Sequence, residues 1–161
     1  APLAARLTAD GATTSVLTYS TTATDSRFPV AVNEIACGIR WSVQEANELG
    51  YPPTRVVVLG HSAGGQLASL ATYSGDEFGG DCPYDEVEIN GLIGIAGVYN
   101  TDWFASGMSL WMGSTPAEAP DAWAQANPIL RVQDGRAPGS IRTLHEVLKS
   151  EYGPDDEHGA S

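Results

Sequence analysis

The stretch Val56-Val57-Val58-Leu59-Gly60-His61-Ser62-Ala63-Gly64-Gly65-Gln66-Leu67-Ala68 decides the fold. Four consecutive aliphatic residues, Val56 to Leu59, suit a parallel strand covered on both faces. They run into Gly60-His61-Ser62-Ala63-Gly64, a Gly-x-Ser-x-Gly pattern, and Gly65 continues it into small residues that suit a helix. With no Cβ at Gly60 and Gly64, the strand can turn sharply into that helix while Ser62 is held at the apex. The serine hydroxyl then projects from the carboxyl end of the strand. The first turn of the helix offers free N–H groups and a positive dipole end to a developing oxyanion. This pattern predicts a nucleophile elbow. The competing reading is a glycine-rich phosphate-binding turn, but no Walker lysine follows and Gly-x-Gly-x-x-Gly is absent.

Working outward, residues 2–8 read as helix, with Gly11 near its stop. Residues 14–19 read as a strand. Pro29 suits the first turn of a long helix ending near Leu49, because Val32, Ile35, Ala36, Ile39, Val43 and Ala46 recur at three- and four-residue steps. Pro52-Pro53 then break the chain before a strand over 55–60. A helix over 63–73 and a strand over 89–96 follow. Residues 102–126, rich in Pro, Gly and Trp, read as short helices and turns. Ser140 can cap a last helix to about Glu151, with Ile141, Leu144 and Leu148 inward. Residues 153–161 form a polar tail. Buried strands alternating with helices predict an α/β fold with a mostly parallel sheet flanked by helices.

The 161 residues are enough to bury one core, so the reading is a single domain over 1–161. A net charge of −12 argues against nucleic acid and anionic membrane surfaces as partners. No apolar run is long enough to cross a bilayer, and the start shows no basic-then-apolar signal pattern. Cys37 and Cys82 have no histidine or Cys-x-x-Cys spacing, so no metal and no cofactor are expected. They either remain two free thiols, the simpler reading, or form one disulfide tying the long helix to the 79–83 loop.

The elbow and its flanks resemble the α/β-hydrolase superfamily, in its esterase and lipase branch related to hormone-sensitive lipase and arylformamidase. Val16-Leu17-Thr18-Tyr19-Ser20, Arg27-Phe28-Pro29 and the helix after it, and Ile89 to Tyr99 are similar to the family's segments around the nucleophile strand. Trp111-Met112-Gly113-Ser114 and Trp123 to Ile129 resemble the short insertion that covers such sites, placing a helical covering segment within 102–126. Trp103, Trp111 and Trp123 then either line a pocket or pack in the core. Against this resemblance the sequence reads as an incomplete member. The His-Gly-Gly-rich oxyanion turn is expected ahead of Pro2, and no aliphatic strand run is found after Ile129 to carry the triad acid. The expected consequence is exposed sheet edges and self-association through them.

The resemblance implies a serine-dependent carboxylic ester hydrolase acting through an acyl-enzyme on Ser62, with a small-molecule ester as substrate. An arylformamidase-like amide hydrolase and a non-catalytic interaction module are the alternatives. A triad needs a base and an acid. Of the three histidines, His61 sits on the elbow and His145 lies in the last predicted helix. His158, in Glu157-His158-Gly159, resembles the family's base-bearing loop. Asp134 fits the acid in chain order alone, with Asp155 and Asp156 as alternatives. The backbone N–H of Ala63 is the one oxyanion donor the sequence supports.

Overall fold

The computed structural model describes residues 2–135 and 142–143. Helix α1 spans Pro2–Ala9, α2 spans Val30–Glu48, strand β1 spans Val57–His61 and helix α3 spans Ala63–Tyr73. Strand β2, Gly91–Ile95, precedes the short helices α4 (Ala105–Met112), α5 (Pro120–Gln125) and α6 (Pro128–Gln133), and β3 covers Arg142–Thr143. The three strands form one parallel sheet in the order β1-β2-β3, with Val57 opposite Gly91 and Leu92 opposite Thr143.

The periodicity of α2 is realised: Ala31, Val32, Ile35, Ala36 and Ile39 are buried, and Pro29 sits at the N-cap. That face meets Leu67, Leu70 and Ala71 of α3. Helix α3 is buried all along from Gly65 to Tyr73, which explains why it is built of small and apolar residues around one amide, Gln66. Gln66 Nε2 donates to the Ala126 carbonyl at 3.0 Å and so ties α3 to the covering helices. Those helices have their own small core of Met108, Met112, Trp123 and Ala126. Trp123 and Trp111 are therefore packing residues, whereas Trp103 is 86% exposed.

Two expectations change. Residues 14–19 form no strand ladder, although Leu17 and Tyr19 pack against the α2–α3 core. Strand propensity needs a partner to bond with, and no strand lies beside this segment among the described residues. Between it and β1 runs a groove of about 650 Å³, lined by Leu17, Tyr19, Val58, Gly60 and Gly64 among others. The predicted helix over Ser140–Glu151 is also corrected at the two of its residues that are described: Arg142 and Thr143 pair with β2 instead. The open edge of β2 offers backbone bonds there, and these outweigh the helical spacing of Ile141, Leu144 and Leu148.

Among the described residues β1 is an edge strand. Gly91 N–H donates to the Val56 carbonyl and Ser62 N–H to the Ile95 carbonyl, so even-numbered positions of β1 face β2. By alternation the N–H and C=O groups of Val57, Leu59 and His61 face the groove. Val57 and Leu59 are 55% and 40% exposed.

The cysteines form a disulfide, Cys37 to Cys82, with Cα atoms 5.4 Å apart, so the simpler reading of two free thiols does not hold. It pins α2 to the loop after α3. Arg131 is 3% exposed and fixes the other side: it pairs with Glu77, donates to the Gln125 carbonyl and lies 5.6 Å from the Phe78 ring centre.

Candidate active site

Ser62 lies between β1 and α3 as the N-cap of the helix, with φ 54° and ψ −124°. A left-handed φ at a residue with a Cβ is strained and persists only where the surroundings impose it. They do so here. Ser62 N–H donates to the Ile95 carbonyl at 2.8 Å, which extends the β1–β2 ladder one residue into the turn. The Ser62 carbonyl accepts from Gly65 N–H at 2.9 Å, which starts the helix at once. The turn is so tight that a Cβ on Gly60 would lie 2.1 Å from the Gly64 carbonyl oxygen. Gly65 is nearly as closed, since its Cβ would meet the Gly60 oxygen and Gly97 Cα at 3.2 Å. Gly64 has room: its Cβ would meet only the Tyr19 hydroxyl, at 3.9 Å. The tight positions are thus Gly60 and Gly65.

Ser62 and Ala63 are exposed, and the N–H groups of Ala63 and Gly64 make no hydrogen bond among the described residues. They are orphan donors of the first turn of α3, beside the Ser62 hydroxyl and at the positive end of the helix. The turn after β2 is held by Tyr99, whose ring lies over Gly94 and Gly97. Burial raises the Tyr99 phenol above its ordinary range, against a smaller lowering from its hydrogen bond with the Gly97 backbone.

Of the other predicted triad residues, the one that is described, Asp134, is not gathered at Ser62, and neither is the neighbouring histidine His61. His61 is exposed at the end of β1 and makes no hydrogen bond to Ser62. His158, with His145, Asp155 and Asp156, lies outside the described residues. Asp134 is exposed at the C-cap of α6. Three residues earlier, Arg131 reaches Glu77, beyond the last residue of α3. Ser62 is at the first end of that helix, and its 11 residues are about 16 Å long. Asp134 and Ser62 therefore stand at opposite ends of α3. Chain order could not reveal this, because α6 starts beyond the end of β2, where Ile129 N–H donates to the Tyr99 carbonyl, and runs from there toward Glu77. Among the described residues no group of His, Cys, Asp and Glu could hold a metal, and no helix is long and apolar enough to cross a membrane.

The fold is shared with known structures. A bifunctional GH43-CE protein of Bacteroides eggerthii is 20% identical with a TM-score of 0.58, over 71% of this chain and 18% of that one. A truncated form of a carbohydrate esterase from gut microbiota is 17% identical with a TM-score of 0.60, over 71% of this chain and 48% of that one. This chain thus spans less than half the length of either. No curated protein matches it. The BD-FAE family matches residues 3–143, nearly the whole described length. With its parallel sheet, its flanking helices and a serine held in a strand-to-helix turn, the chain belongs to the BD-FAE family, an α/β-hydrolase-like esterase domain.

Proposed function

We propose that this domain belongs to a serine carboxylic ester hydrolase in which Ser62 is the nucleophile. The observation that carries the reading is the Ser62 backbone, held at φ 54° between β1 and α3 with the free Ala63 N–H beside it. Ser62 Oγ forms a bond to the ester carbonyl carbon. Its proton passes to a base, and the carbonyl π pair moves onto oxygen. Ala63 N–H stabilises that oxyanion, which then collapses as the base returns the proton to the departing alkoxide. The alcohol leaves, and water, deprotonated by the same base, cleaves the acyl-enzyme to free the acid and Ser62.

The base we assign is His158, on its likeness to the family's base-bearing loop. Asp134 is not assigned as the acid, because α6 holds it at the far end of α3. Esters are favoured over the arylformamide alternative because both similar structures carry a carbohydrate-esterase (CE) designation. The substrate class we assign is accordingly an ester borne on a carbohydrate.

Hydrolysis of p-nitrophenyl acetate tests the reading. Ser62→Ala should lower the rate by several orders of magnitude, on the order of 10⁶ where a full triad operates. Turnover unchanged by the substitution would contradict it.

A further inference from the structure

The geometry points to Tyr19 as a second oxyanion donor at the Ser62 elbow, an inference that rests on the serine-esterase reading. Tyr19 is far from the elbow in sequence, and its contact there is made by folding alone. Its hydroxyl oxygen is the single atom that a Cβ on Gly64 would approach, at 3.9 Å. Gly64 lies in the first turn of α3, where the Ala63 and Gly64 N–H groups are free. Tyr19 lines the same groove as Gly60, His61 and Gly64.

The side chain is built to present that hydroxyl. Its ring packs against the α2–α3 core, so the phenol is anchored at its base. The next residue is latched to α2: Ser20 N–H and Ser20 Oγ donate to the two carboxylate oxygens of Glu34 at 2.6 and 2.7 Å. Residues 14–19 have no strand partner, so this latch and the packing of Leu17 and Tyr19 fix their position. The Tyr19 hydroxyl makes no hydrogen bond among the described residues. An anchored ring with an uncommitted O–H beside two free N–H groups is a donor set suited to a developing negative oxygen. In the acylation step Tyr19 keeps its proton. It donates a hydrogen bond to the oxygen that receives the carbonyl π pair, alongside Ala63 N–H.

The test is the second-order rate at which a fluorophosphonate labels Ser62. In that reaction Ser62 Oγ bonds to phosphorus, fluoride leaves, the proton goes to the base, and the phosphoryl oxygen occupies the oxyanion position. Tyr19→Phe should lower the rate by roughly 10²-fold, with kcat for p-nitrophenyl acetate falling in parallel and KM little changed. Its unfolding midpoint should stay put, since the lost hydroxyl has no hydrogen-bond partner among the described residues. Glu34→Gln slackens the latch but keeps the hydroxyl, so it should slow labelling by a smaller factor; it carries the test if the phenylalanine variant does not fold. Labelling of Tyr19→Phe at the wild-type rate overturns the inference and leaves Ser62 as nucleophile. So does a rise in KM with kcat unchanged. A wild-type protein that is not labelled at Ser62 overturns the serine reading and this inference with it.

Discussion

Ser62 donates its backbone N–H to the carbonyl of Ile95, 2.8 Å away, so the sheet ladder continues past the end of β1 and into the turn. One strand residue later the chain would be free; instead the bond holds Ser62 at a left-handed φ and aims the helix back under the sheet. The elbow is thus tied to β2 as well as to the strand and helix it joins. Its rigidity depends on close backbone approach at Gly60 rather than at Gly64.

That contrast is testable. Gly60→Ala places a methyl 2.1 Å from the Gly64 carbonyl oxygen, a clash with backbone that cannot swing aside. A loss of about 3 kcal/mol or more in unfolding free energy is expected. Gly64→Ala makes only an ordinary contact, 3.9 Å to the Tyr19 hydroxyl, and should be neutral or stabilising by up to about 1 kcal/mol. Denaturant titration of both variants checks the pair, and equal losses would show that the motif's two glycines play the same role.

The Cys37–Cys82 bridge closes a loop with a sequence separation of 45 residues. Opening it frees the unfolded chain, and the expected cost is about 2–4 kcal/mol. Thiol titration of the unfolded, unreduced protein should find no reactive thiol, and reduction should lower the unfolding midpoint. Two titratable thiols would contradict the bridge.

The groove-facing backbone groups of Val57, Leu59 and His61 make β1 an open edge, flanked by exposed Val57 and Leu59 side chains. Edges of this kind recruit further strands. Sedimentation should show this chain associating as its concentration rises, and Leu59→Lys should return it to monomer. A wild type that stays monomeric throughout would show that the edge is not used between copies.

His158 is proposed as the base. His158→Ala should abolish ester turnover while leaving the unfolding midpoint within the scatter of the wild type. Retained turnover would remove His158 from the mechanism.

The centre of the fold was legible in the sequence because its signals are local. Four aliphatics before Gly-x-Ser-x-Gly specify strand, turn and helix with little help from elsewhere, and α2 declares itself by the spacing of Val32, Ile35 and Ile39. The misread parts depend on neighbours. Residues 14–19 have strand composition but no strand beside them among the described residues. Arg142 and Thr143 have helical context but lie against an open strand edge. Asp134 follows Ser62 in the order an acid should, yet the crossover carries it to the opposite end of α3. The spacing of Cys37 and Cys82 favoured free thiols over the pairing the structure shows, and the approach of Tyr19 to Gly64 has no local trace.

In the function proposed above, the strained elbow presents Ser62 as a nucleophile. The most direct test is to treat the wild-type protein with a fluorophosphonate and map the modified peptide by mass spectrometry. A single adduct on Ser62, absent from Ser62→Ala, is expected. An adduct on another residue, or labelling that survives Ser62→Ala, would contradict it.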